Sequence, residues 1–152
     1  MNKLQIITTL LVFIFLTNCK NSETMKYKVG QEWNYKTRKG EENSTLKILK
    51  IEEYPKHGKV IHISIGGLKV GNPDVEKGFA NEFTHIPISE IALDKSVTKL
   101  KNEKVKLPDS IDGYSYWKKE FDQGIAGIFS ISVYEIVDLM EESIITRNGV
   151  IE

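Results

Sequence analysis

Lys59-Val60-Ile61-His62-Ile63-Ser64-Ile65 is the stretch on which the fold turns. Its side chains alternate, with Ile61, Ile63 and Ile65 on one face and Val60, His62 and Ser64 on the other. Successive residues of a strand point to opposite faces, so this period of two predicts a strand with its isoleucine face in the core. Tyr54-Pro55-Lys56-His57-Gly58 breaks the chain just before it, since proline cannot donate to a ladder. Before that break Thr45 to Glu52 predicts a second strand. Its apolar phase shifts between Ile48 and Leu49, which points to a bulge or to burial on both sides. Upstream, Gln31 to Arg38 sets Trp33, Tyr35 and Thr37 against Glu32, Asn34, Lys36 and Arg38, and the polar run Lys39 to Asn43 is a turn. Three strands in succession with short turns predict an antiparallel meander.

Downstream the pattern changes. Gly66 to Gly78, with Gly66-Gly67 and Asn72-Pro73, is the longest loop candidate, and Phe83 to Ile88 is a fourth strand. Ser89 is placed to cap a helix through Leu100 that buries Leu93, Val97 and Leu100, followed by a solvated connector from Lys101 to Lys106. Pro108 to Gly124 reads as a second helix, with Ile111, Tyr114, Trp117 and Phe121 on one side. Gly127 to Ser132 reads as a strand. Ser132-Val133-Tyr134-Glu135 is a capping box that starts a helix burying Val133, Ile136, Val137 and Met140. Ile144 to Ile151, with Asn148-Gly149 as a turn, reads as a final short strand. The fold class expected is α+β, an antiparallel sheet of four to five strands with about three helices packed on one face.

Lys3 is the single charge before position 20, and an apolar run from Leu4 to Leu16 follows it. A stable bilayer-spanning helix needs about 20 such residues, whereas a charged start and a run of this length is the layout of a secretory signal. Leu16-Thr17-Asn18-Cys19 resembles the lipobox of bacterial lipoproteins, with Asn18 where glycine, alanine or serine is usual. The resemblance covers residues 1–20. It implies cleavage before Cys19 and a diacylglyceryl group on its thiol, hence an exported protein held on a bacterial membrane, the outer membrane facing the periplasm or the cell surface. The domains expected are a signal peptide at 1–18, a lipidated tether at 19–28 and a single α+β domain at 29–152. The polar residues from Lys20 to Lys26 would keep that domain within about 15 Å of the surface on average. Cys19 is the sole cysteine, so no disulfide competes for it.

Without residues 1–18 the chain has 20 basic and 21 acidic residues, since Lys3 is the one charge removed. Such balance argues against nucleic acid as a partner, which calls for a basic patch. No Gly-x-Ser-x-Gly elbow and no phosphate-binding glycine loop is present. The acid pairs Glu41-Glu42 and Glu141-Glu142 read as solvated ends, because adjacent acids do not flank a scissile bond. Of three histidines, His57 sits in a turn, His62 at the surface or edge of the core, and His85 lies three residues after Glu82. Their spacing matches no zinc motif, and no cofactor or metal is expected. Tyr114, Trp117 and Phe121 share a helical stripe expected in the core, and Tyr116 falls off it, exposed as a contact residue.

These readings converge on a membrane-anchored binding module whose ligand the sequence leaves open, with Tyr116, His62 and His85 as binding candidates. An immunity or inhibitor protein of the cell envelope, with a protein partner there, is its specific form. The alternatives are an envelope hydrolase using His62, His85 and Glu82, and a structural envelope component. Lipid retention is the part with a direct check: each buried CH₂ contributes about 0.8 kcal/mol, so losing the acyl chains abolishes anchoring. Cys19→Ser is expected to leave the domain folded but move it out of the carbonate-washed membrane fraction, and a serine variant that stays with the membrane would refute the anchor.

Overall fold

A computed structural model describes residues 26–147 apart from 74, 75 and 77. The expected signal peptide, Cys19 and the expected turn at Asn148-Gly149 lie outside the described residues. Five strands form one sheet: β1 (Glu32–Tyr35), β2 (Thr45–Tyr54), β3 (Gly58–Gly71), β4 (Phe79–Ser89) and β5 (Val97–Asn102). Three helices accompany them: α1 (Glu90–Ser96), α2 (Tyr114–Asp122) and α3 (Val133–Arg147). Every strand pair is antiparallel, in the order β4-β3-β2-β1-β5. The class is α+β, as expected, and β1 to β4 form the meander.

The expected phase shift in β2 is a bulge. Ile48 pairs with Ile63 and Lys50 with His62, so Leu49 is the extra residue. Both Ile48 and Leu49 are buried, and the bulge is what allows two consecutive apolar residues to be so. The expected loop from Gly66 to Gly78 is strand as far as Gly71, because Leu68 and Val70 alternate into the core and extend β3. Gly67 takes φ +79°, and a Cβ there would come within 3.1 Å of the Ser44 backbone. The turn before β2 therefore lies directly on this glycine.

The helix after Ser89 ends at Ser96 rather than Leu100, and the connector expected from Lys101 is in part β5. Trp33 pairs with Leu100, Asn34 with Lys99 and Tyr35 with Val97, which skips Thr98. That irregularity puts Val97 and Leu100, three positions apart, against the same core. Their helical spacing is thus the product of a bulged strand. α2 likewise begins at Tyr114, not Pro108, because Gly113 at φ +87° adopts a backbone no helix interior tolerates. Gly127 to Ser132 contributes one parallel bridge, Ile88 to Phe129, instead of a strand. Ile144 to Arg147 belong to α3, not to a strand. The capping box that begins α3 is present: Ser132 N–H donates to Glu135 Oε2 at 2.8 Å and Glu135 N–H to Ser132 Oγ at 3.3 Å.

Ile61, Ile63 and Ile65 share one core with Leu46, Ile48, Ile86 and Ile88, closed by Leu93 of α1 and Val133, Ile136 and Val137 of α3. Glu41, expected in solvent, is 3% exposed and accepts from Arg38 Nε and Nη2 at 2.9 and 2.6 Å. Arg38 also bonds Asp138 and Glu141 of α3, which ties that helix to the turn before β2. The three helices do not share one face. α2 lies across the opposite face, where its Trp117 packs on His62 and its Phe121 on Tyr54. Val60 and His62 are thereby fully buried on the face left free by the main core.

A buried hydroxyl joins the end of α1 to the start of α3. Ser96 Oγ donates to Ala92 C=O at 2.7 Å and accepts from Val133 N–H at 2.9 Å. Ser96→Ala leaves a buried N–H unpaired at the start of α3 and is expected to cost about 1–2 kcal/mol in urea denaturation. Ile63→Ala, which opens a cavity at the sheet centre, is expected to cost about 3–5 kcal/mol in the same assay.

Candidate functional site

The face beneath α2 carries a run of polar side chains set by strand register. β2 and β3 pair Lys50 with His62 and Glu52 with Val60, and β4 sets Pro87 beside His62. Glu52, His62 and His85 therefore lie diagonally across three adjacent strands, on the same face. Glu52 Oε2 is 2.9 Å from His62 Nε2, and His62 Nδ1 is 2.9 Å from His85 Nε2. The two imidazoles stack at 5.1 Å, 12° from parallel. Tyr114 donates to both oxygens of Glu52 at 3.0 Å and accepts from the Lys50 ammonium at 2.9 Å. Trp117 meets the His62 ring edge-on at 4.9 Å and stacks on Phe121 at 4.7 Å. Its indole N–H donates to Gly127 C=O at 2.9 Å, which fixes α2 against the segment leading to α3.

Charge follows from these contacts. Burial opposes ionisation of Glu52, but the bonds from Tyr114, Lys50 and His62 outweigh it and hold the carboxyl below its usual range. Burial pushes His62 below the usual imidazole range despite the attraction of Glu52. Burial, reinforced by His62, takes His85 down to about 4. At neutral pH the row is thus one carboxylate and two neutral imidazoles. An ionised carboxylate can only accept, so His62 carries its proton on Nε2 and offers a lone pair at Nδ1. His85 must then donate from Nε2 and keep its own lone pair on Nδ1.

The His85 ring borders an open space. His85 lines a cleft of about 510 Å³, together with Thr84 and Pro87 of β4, Asp112 and Gly113, Trp117 of α2, and Gly127 to Phe129. A Cβ at Gly113 would lie 3.9 Å from His85 Nδ1, so this nitrogen is next to Gly113, one of the residues that line the cleft.

The sequence candidates separate accordingly. His62 and His85 come together, but His62 is 0% exposed and buried rather than at the surface or edge of the core. Glu82 does not join them: it pairs with Gly66 and lines a second cleft with Ser64 and Lys106. Glu52 takes the place given to Glu82, a residue that spacing alone did not single out. The available signal was the hairpin at Pro55 to His57, which folds Glu52 back beside His62 once the Leu49 bulge is counted. Tyr116 is 73% exposed on the outer side of α2, away from this cluster. His57 is exposed in its turn, with its ring 5.4 Å from Phe121. Among the described residues no group of three or more His, Cys, Asp or Glu side chains is placed to hold a metal ion, and no helix is long and apolar enough to cross a membrane. No protein family matches the chain, and no curated protein or solved structure matches it.

His85 gives the pH response a definite sign. Its folded pKa of about 4 lies below the unfolded imidazole value, so the unfolded chain binds the proton more readily. Stability from this group is complete above about pH 6.5 and is lost as pH falls through about 4. His85→Gln keeps a donor toward His62 but does not titrate. It is expected to flatten the fall in thermal midpoint between pH 6.5 and 4, and an unchanged slope would refute the assignment.

Proposed function

We propose that this chain is an exported, lipid-anchored binding module of the bacterial envelope, and that the cleft at His85 receives its ligand. The observation that carries the reading is the cleft itself. It combines apolar walls from Pro87, Trp117, Ile128 and Phe129 with three converging polar groups, Thr84, His85 and Asp112. Ligand sites are concave, mostly apolar and furnished with a few placed polar groups of this kind. The lipobox resemblance at Leu16 to Cys19 supports the anchor, through which the membrane is one partner. The specific form is a protein that neutralises a toxin or an enzyme in the envelope, with a segment of that partner in the cleft.

Binding is favoured over hydrolysis on chemical grounds. A general base works best with a pKa near the operating pH, and His85 at about 4 is a weak base at neutrality. Both ring nitrogens of His62 and Nε2 of His85 are occupied within the row, so neither imidazole activates the Thr84 hydroxyl through those atoms. The row instead holds one imidazole rigidly at the cleft wall.

The test uses the chain released from the membrane by Cys19→Ser. Titration with a library of small fragments, followed by amide chemical shifts, is expected to cluster at His85, Gly113, Trp117 and Phe129. Phe129→Lys is expected to suppress that cluster. Shifts gathered around Tyr116 instead would move the binding surface to the outside of α2. Turnover of an ester or peptide substrate that disappears in His85→Gln would replace the binding reading with the hydrolytic one.

A further inference from the structure

We propose that the cleft at His85 selects a protonated amine carried on an apolar body, its N–H donated to His85 Nδ1 and its charge opposite the Asp112 carboxylate. This rests on the binding reading above and names the chemical class of the ligand. The first support is the direction of the hydrogen bonds. Glu52, held as an acceptor by Tyr114 and Lys50, sets the His62 proton on Nε2, and His62 in turn sets the His85 proton on Nε2. The cleft side of His85 is therefore an acceptor, not a donor. A ligand carboxylate or phosphate placed there would set lone pair against lone pair.

The second support is charge. Among the described residues lining the cleft, Asp112 is the one with a formal charge, and no lysine or arginine accompanies it. Lys50 is held behind the row by Tyr114 and Glu52. Thr84 and Asp112 also line the adjoining cleft, which holds Lys47, Lys106 and Glu82, and neither lysine forms an ion pair with Asp112 among the described residues. Asp112 accepts one long bond from Ser110 at 3.5 Å, which leaves its acceptor capacity for another group. The third support is the walls: Pro87, Ile128 and Phe129 offer hydrocarbon for the body of the ligand, while Trp117 is engaged by Phe121 and the two histidines.

The probes are benzylamine, 2-phenylethylamine and tryptamine, each against its carboxylate counterpart, titrated at pH 7 into the Cys19→Ser chain. At least one amine is expected to perturb His85 and Phe129 and to bind about tenfold more tightly than its acid partner. Asp112→Asn, a change in an exposed loop, is expected to weaken the amine about threefold and to leave the acid no weaker. A ¹⁵N spectrum of the side-chain imidazoles is expected to show His85 protonated on Nε2, with its Nδ1 resonance moving on amine addition. Acids that bind in the cleft as well as the amines would overturn the proposal and leave the cleft as a binding site. A His85 proton found on Nδ1 would overturn it in the same way. Silence from all six probes at the cleft would overturn both this proposal and the binding reading.

Discussion

Burying a histidine at the centre of a sheet is the constraint around which the rest is arranged. A polar ring taken from water costs several kcal/mol unless its hydrogen bonds are restored. His62 recovers both, one from Glu52 on β2 and one with His85 on β4. The burial itself comes from α2, whose Trp117 closes over the imidazole. Without the helix the row would be wet and its protons free to exchange sides. With it, the tautomer of each ring is dictated from Glu52 outward, and the chemical character of the cleft is settled two residues away from the cleft.

The two faces of the sheet thus do different work. The isoleucine face is a hydrocarbon core shared with α1 and α3, and its packing sets stability. The opposite face is a thin layer of aromatic and polar side chains under one short helix. Its indole and phenol each keep a polar partner, Gly127 C=O for Trp117 and Glu52 for Tyr114. No buried side-chain nitrogen or oxygen among the described residues lacks a hydrogen-bond partner. That completeness is what permits such polarity beneath a helix.

The meander was legible because β1, β2 and β3 each signal themselves through alternation or a phase break, and the capping box of α3 through a local reciprocal bond. Two kinds of feature were not. Val97 and Leu100 sit at helical spacing, yet a register skip at Thr98 makes the same spacing serve a strand, and only pairing with distant β1 decides between them. The partner of the histidines was hidden similarly. Glu82 is near His85 in sequence, but strand register sends it toward Gly66, while Glu52 reaches His62 through a hairpin and a bulge. Each failure concerns a contact fixed by tertiary pairing, which local pattern does not encode. His62 itself was placed on the correct strand face; what remained invisible was that α2 would cover that face.

The long-range bond at the Ser96 hydroxyl has a kinetic side. Closing distant pairings is slower than closing hairpins, since the chain must lose loop entropy first. β1 to β4 join by neighbouring turns, whereas β5, α2 and α3 reach the sheet only after the chain has doubled back. Gly113, Trp117 and Phe129, which wall the cleft, all belong to that later half. α2 and the wall of the cleft that it carries then open before the meander on which the histidine row sits, so amide exchange at α2 would outpace exchange at β3 in the native protein.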